Sequence, residues 1–369
     1  MSLVTVLVFV LVAALAAVNG SNDVPKGVAT LAGAGVTKYR TAIIWGTATT
    51  FAGCLCSLVL AEKMTKLFSK GIVTADPTDA FAVAVLAGAA SWVGLATLLR
   101  LPVSTTHALI GGLLGAGFLF ASDSIAWNAI PQKLVIPLLT SVGVAYGISL
   151  LLALVFNRAA ARLTTAANAP QEAETGASHS QGRSRPSGGD GRERVAVRSA
   201  EPAAAVATSG AAAKAPSRVL TGAHWLTSGA TGFARGLNDT PKMVAIGAFA
   251  LVPAGMEVWQ IMLLVAAAMA VGSLTGGMRV AERLGEGVVR MNHKEGFLAN
   301  LTTATLVGVG AGYGLPMSTT HTSTGAIAGS AGANVSRLSG KTLRDFLIAW
   351  LVTPPFAAAI AAGAYLLAR

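Results

Sequence analysis

Apolar residues along this chain fall into long runs separated by short polar clusters. The runs cover 2–18, 27–36, 41–61, 80–99, 108–121 and 134–156, and then 219–234, 243–254, 258–278, 297–311, 324–333 and 346–368. The runs are continuous rather than alternating with period two, so they predict helices, and about 20 apolar residues suffice to cross a hydrocarbon core. Several runs are too short for that, and these adjoin polar clusters that contain proline or glycine. The pattern predicts an all-α polytopic membrane protein with about 10–12 membrane segments. Full helices would alternate with interrupted or re-entrant half-helices, their free backbone groups satisfied by protein, ions or water.

The polar clusters occur twice. Gly20-Ser21-Asn22-Asp23-Val24-Pro25-Lys26 returns as Gly236-Leu237-Asn238-Asp239-Thr240-Pro241-Lys242. Pro102-Val103-Ser104-Thr105-Thr106-His107 returns as Pro316-Met317-Ser318-Thr319-Thr320-His321. Asn22 precedes Ser104 by 82 positions and Asn238 precedes Ser318 by 80, so the whole intervening segment is duplicated. Two membrane repeats follow, 1–157 and 219–369. An odd number of crossings in each predicts opposite orientations, and paired interruptions in two halves point to a transport site near the midplane. Cys54 and Cys56 lie two apart on one apolar segment, point to different sides of a helix and predict no disulfide.

Composition agrees with a bilayer. Hydrophobic residues make up 53% of the chain and charged residues 12%, with a mean hydropathy of +0.63. Residues 2–18 carry no charge and no basic region precedes them, which predicts a retained first helix rather than a cleaved leader. Residues 158–218 differ in kind: nine Lys/Arg stand against five acids, with no apolar period, so a disordered basic linker is expected there. Arg158, Arg162 and Arg218 flank membrane helices and favour the cytoplasmic side, so the net charge of +11 reads as topology and not as nucleic-acid binding. Charges at helical spacing after the second run of each half (Glu62, Lys63, Lys66, Lys70; Arg279, Glu282, Arg283, Glu286, Arg290) predict short amphipathic helices.

The repeated clusters carry the chemistry. A carboxylate at mid-membrane costs about 2.5–3.5 kcal/mol on insertion scales, so Asp23 and Asp239 require partners. With Asn22 and Asn238 they offer oxygens of the kind hard cations take, Na⁺ among them; the plainer reading is a local pair with Lys26 or Lys242 three residues on. Ser104, Thr105, Thr106 and Ser318, Thr319, Thr320 follow a proline and open apolar, glycine-rich helices. Hydroxyls and free N–H groups at a helix start suit a tetrahedral oxyanion, although plain capping explains the serines equally well. A carboxylate about 4 Å from an anion repels it by about 4 kcal/mol at an effective dielectric near 20. A bound Na⁺ or proton turns repulsion into attraction, which is the thermodynamics of symport. His107 and His321 can relay protons or pin the first helical turn, and Arg100 can attract the anion or reach the membrane surface. Trp45, Trp92, Trp259 and Trp350 read as packing or interface residues.

With these residues in hand, the chain resembles the inorganic phosphate transporter family, whose signatures are a Gly-x-Asn-Asp motif and a Pro-x-Ser-Thr-Thr-His motif in each half. The likeness covers everything except the linker. It implies an inverted-repeat, all-helical carrier, homodimeric, in the cell membrane, moving phosphate with Na⁺ or H⁺ by alternating access and needing no cofactor. It implies that Asn22, Asp23, Asn238 and Asp239 contribute cation and substrate ligands, and that the Ser-Thr-Thr segments surround the anion. Many members continue the first motif with small neutral residues. This chain has Val24-Pro25-Lys26, and a lysine there can replace a cation beside Asp23 or bind the anion, which leaves the coupling ion open.

Three rival functions remain. A sulfate permease, or carriage of a metal–phosphate complex, keeps the fold; phosphate can donate a hydrogen bond and sulfate cannot, so acceptors near the anion favour phosphate. An intramembrane protease would need Asp23 and Asp239 as a dyad, or Ser104 with His107, but no nucleophile elbow surrounds Ser104. The expectation is therefore not an enzyme. A passive channel is separated from a carrier by uptake against a gradient.

Overall fold

The computed structural model describes residues 2–167, 218–288, 291–332 and 334–369, and most of the expected linker, 168–217, lies outside them. The described residues form twelve α-helices and no β-strand. The first half supplies α1 (Leu3–Gly33), α2 (Tyr39–Leu60), α3 (Glu62–Lys70), α4 (Asp79–Leu98), α5 (Thr105–Ala121) and α6 (Ile136–Ala167). The second supplies the same series: α7 (Arg218–Leu251), α8 (Val258–Gly276), α9 (Met278–Gly287), α10 (His293–Tyr313), α11 (Thr319–Ser330) and α12 (Gly340–Ala368). Seven of these, α1, α2, α4, α5, α6, α8 and α12, are long and apolar enough to cross a membrane. Val59, Leu98, Leu139, Leu351 and Leu367 stand exposed on their helices, as lipid-facing positions do. The short amphipathic helices expected after the second run of each half are α3 and α9, with Met64, Leu67 and Phe68, and Val280, Ala281 and Leu284, turned inward.

The interruptions do not fall where all four motifs suggest. The chain breaks at the two Pro-x-Ser-Thr-Thr-His segments, where α4 turns back as α5 and α10 turns back as α11. The two Asn-Asp motifs instead run uninterrupted through α1 and α7, with Pro25 and Pro241 inside the helix. A proline removes one ladder bond, and a membrane helix tolerates the loss where neighbouring helices clamp it on both sides. Here they do.

The clamps are glycines, and they join one half to the other. A Cβ at Gly20 on α1 would stand 1.9 Å from the Met269 carbonyl oxygen on α8, and one at Gly272 on α8 would stand 1.8 Å from that of Ala17 on α1. The mirrored pair is α7 on α2, where Gly236 meets the Thr50 carbonyl at 2.4 Å and Gly53 meets that of Phe233 at 2.1 Å. Gly111 and Gly115 of α5 meet the Pro354 and Ala358 carbonyls of α12, each at 2.3 Å. Gly325 and Gly329 of α11 meet Val142 and Tyr146 of α6 at 2.4 and 2.3 Å. Lipid supplies no hydrophobic drive between helices, so such backbone approach is what holds a membrane bundle together. Glycine at these positions permits it.

Both hairpins turn alike. Leu101 N–H reaches the Ala96 carbonyl at 2.8 Å and Arg100 N–H that of Thr97 at 2.9 Å; Leu315 N–H reaches Gly310 at 2.8 Å and Gly314 N–H reaches Ala311 at 3.2 Å. This is a Schellman turn, whose penultimate residue is left-handed. Gly314 takes that conformation freely at φ 73°, while Arg100 is forced into it at φ 58°. Arg100→Gly is expected to raise stability by about 0.5–1 kcal/mol, left-handed strain outweighing glycine's extra entropy. A raised melting temperature of the purified protein checks this, and an unchanged or lowered one counts against it.

Candidate functional site

The two hairpin tips meet the middles of α1 and α7. Pro102 and Pro316 set extended backbone before each tip, and Ser104 and Ser318 then cap α5 and α11 by accepting the His107 and His321 N–H groups at 3.3 and 3.2 Å. The opening N–H groups of both helices have no acceptor in their own helix. Asn22 holds the first tip: its carbonyl accepts the Val103 N–H at 3.1 Å, and its amide donates to the Leu101 carbonyl at 2.9 Å and the Thr97 hydroxyl at 3.0 Å. Asn238 holds the second through a bond to the Met317 carbonyl at 2.9 Å.

Both carboxylates are buried, and neither is bare. Asp23 pairs with Lys26 and accepts from the Asn19 amide at 2.6 Å and the Thr105 hydroxyl at 2.9 Å. Asp239 accepts from Asn238 at 2.8 Å and Lys242 at 3.3 Å, with Arg235 3.8 Å away. The Asn19 amide also comes within 3.5 Å of Asp239, which brings the two carboxylates to one centre. The lysine pairs three residues on therefore form in both halves. They change the electrostatics expected above: three buried cations, Lys26, Arg235 and Lys242, face two carboxylates, so the fully ionised centre is net positive before any ion enters.

The halves are tied across this centre. Lys26 of the first half donates to Thr320 of the second at 2.6 Å and to the Val103 carbonyl at 2.7 Å. Lys242 of the second half donates to Thr106 of the first at 2.6 Å. Thr320 in turn donates to the Val103 carbonyl at 2.6 Å, and Thr106 to that of Met317 at 3.4 Å. Two carbonyl oxygens, Asn19 Oδ1 and Asn238 Oδ1, are buried without a hydrogen-bond partner among the described residues. So are the hydroxyls of Thr322, Ser323 and Thr324 on α11, where α5 carries Ala108, Leu109 and Ile110.

Of the residues singled out by sequence, Asn22, Asp23, Lys26, Ser104, Thr105, Thr106, Asn238, Asp239, Lys242, Ser318, Thr319 and Thr320 are all buried at or beside this centre. His107 and His321 lie next to it, their ring centroids 4.6 Å apart and the planes tilted by 51°. They line a cleft of about 340 Å³ with Leu139, Val142 and Trp350. Among the described residues neither donates to a carboxylate, and the ring bond from His321 goes to the Leu138 carbonyl at 3.2 Å. Arg100 is exposed on the hairpin turn. Trp350 anchors the first tip by donating to the Pro102 carbonyl at 3.2 Å. Two site residues escaped the motif reading, Asn19 and Arg235. Each lies one turn before its aspartate and immediately precedes the repeated glycine, so a scan four residues back along the helix finds both.

A multi-pass helical bundle with a buried ionic centre between two hairpins has the build of a solute carrier. The model of the phosphate transporter family matches residues 19–361, and the chain belongs to that family. It is 29% identical, over 94% of its own length and 91% of the relative's, to a protein of Rhizobium meliloti strain 1021 named "Probable low-affinity inorganic phosphate transporter". A Mycobacterium bovis protein of the same name is 26% identical, over 97% of this chain and 76% of that one. Among solved structures, one described as "The sodium-dependent phosphate transporter" shares the fold, with a TM-score of 0.71 and 21% identity over 99% of both chains.

Proposed function

We propose that this protein takes up inorganic phosphate by symport with Na⁺ or H⁺, exposing one central site alternately to the two sides of the cell membrane. The observation that carries the reading is the net positive, buried centre between two helix starts, with the unpartnered acceptors Asn19 Oδ1 and Asn238 Oδ1 beside it. Thr105, Thr106, Thr319 and Thr320 would face the anion with the free N–H groups of α5 and α11, their serine neighbours Ser104 and Ser318 holding the helix starts in place. Asp23 and Asp239, with Asn22 and Asn238, would carry the cation linkage. The mirrored glycine contacts and crossed lysine ties support two repeats related by a twofold, since such a relation explains each pair at once.

Phosphate at neutral pH still carries a donating hydroxyl, and sulfate carries none. A site with buried acceptors left unpaired by sulfate would discriminate against it. Uptake of labelled phosphate into proteoliposomes, with Na⁺ and pH gradients imposed separately, tests the whole reading. Accumulation above the external concentration, competed by arsenate and poorly by sulfate, is the expected result. Mere equilibration would mean a channel, and equal competition by sulfate would mean a broader anion carrier.

A further inference from the structure

The surroundings of the Lys26 ammonium group are those of a metal-ion site, and those of Lys242 repeat the carboxylate and the hydroxyl. Lys26 Nζ is held by a carboxylate oxygen of Asp23, the Val103 carbonyl at 2.7 Å and the Thr320 hydroxyl at 2.6 Å. Carboxylate, backbone carbonyl and neutral oxygen are the ligands a hard cation takes. An ammonium has three N–H donors, and here each has an oxygen acceptor. At the corresponding place in the second half, Lys242 Nζ is held by Asp239 at 3.3 Å and the Thr106 hydroxyl at 2.6 Å, with the Phe68 ring 5.9 Å away. Both ammonium groups are at most 1% exposed. Duplication carried the aspartate, the lysine and the hydroxyl together, so the arrangement belongs to the design of each half rather than to one position.

We propose that Lys26 and Lys242 are resident counter-cations that fill the places a free sodium ion would take, so that phosphate transport by this protein does not use Na⁺. The inference rests on the phosphate reading above and leaves the proton as the coupling ion of that symport. The mechanism is electrostatic substitution. Each ammonium supplies the positive charge that lets an anion approach Asp23 or Asp239, and it is covalently tethered, so no sodium concentration can displace or add to it. The charged and titratable groups facing the two ammonium ions are Asp23 on α1, Asp239 and Arg235 on α7, His107 on α5 and His321 on α11, with Cys54 on α2 behind Arg235 and Asp239.

The test uses the full chain in proteoliposomes under a fixed pH gradient, with external Na⁺ exchanged for choline. Wild-type uptake of labelled phosphate is expected to be unchanged by the exchange. Lys26→Ala, Lys242→Ala and the double variant each open an oxygen-lined space beside a carboxylate. They are expected to lose uptake in choline and to regain it in Na⁺, by about tenfold or more, within the ordinary range of coupling between two sites. Their melting temperature in detergent should likewise rise with NaCl over choline chloride while that of the wild type does not, which reads cation binding without transport. Wild-type uptake that climbs along a saturation curve in Na⁺ overturns the inference, and does so whether or not the alanine variants fold. Folded variants indifferent to Na⁺ in both assays overturn it too. Absence of phosphate uptake under any gradient overturns the transport reading and this inference with it, whereas sodium-stimulated uptake sinks the inference alone.

Discussion

Asp239→Ala is expected to abolish phosphate uptake and to destabilise the purified protein by about 3–5 kcal/mol, the usual cost of stripping one partner from a buried ion pair. Lys242 and Arg235 would be left as two like charges in the bundle, with the remaining carboxylate of the centre, Asp23, already paired with Lys26. Asp239→Asn keeps a side chain of the same size that can still bond Asn238, so it should fold better than the alanine variant and still fail to transport. A double-mutant cycle separates charge from shape. Combining Asp239→Asn with Lys242→Gln removes both members of a pair, so the double variant should be more stable than the sum of the single losses predicts, by roughly 0.5–3 kcal/mol. Thermal unfolding in detergent beside vesicle uptake measures both quantities. Strict additivity, or normal uptake in Asp239→Asn, would contradict the assignment of this carboxylate to the working centre.

The second large effect concerns packing. Gly272→Val places its Cβ where the Ala17 carbonyl oxygen stands, 1.8 Å from the added carbon, and Gly20→Val does the same to Met269 at 1.9 Å. Neither obstacle is a flexible side chain: both are helix backbone, so α1 and α8 must part along their length. Overpacking of this kind costs about 1–3 kcal/mol or more even in forgiving cores. In a bundle held by close backbone approach it removes the contact that replaces the hydrophobic effect. It also shifts Asn22 and Asp23, which lie within one turn of Gly20. Both variants are expected to yield little folded protein in the membrane. Gly147→Ala on α6 is the control, because nothing lies within 4 Å of its added carbon. Size-exclusion profiles of the three detergent-extracted variants decide the point, and a well-folded Gly272→Val would refute it.

Much of this was visible in the residues themselves. The duplicated motifs, the capped helix starts at Ser104 and Ser318, and the short amphipathic helices follow from patterns that depend on near neighbours in sequence. The continuity of α1 and α7 does not. Pro25 and Pro241 look like breaks because propensity is measured in water, where a helix has no second helix pressed against it. Nor does sequence reveal that α1 packs on α8 and α7 on α2, since each pairing joins residues at least 180 positions apart and rests on carbonyl oxygens every residue possesses. Asn19 and Arg235 were hidden for a smaller reason: they differ from each other, and a search for repetition passes over positions where the two copies have diverged. The lysine pairs were legible as a local option, and only the geometry shows that each also grips the opposite half.

That grip is not the same on the two sides. Each lysine holds one threonine of the opposite half at 2.6 Å, but Thr320 continues to the Val103 carbonyl at 2.6 Å while Thr106 reaches that of Met317 only at 3.4 Å. A hydrogen bond between neutral groups contributes about 0.5–1.5 kcal/mol. Under the alternating access proposed above, the two ties would be the leaves of a door bolted unequally, the one through Thr320 more firmly than the one through Thr106.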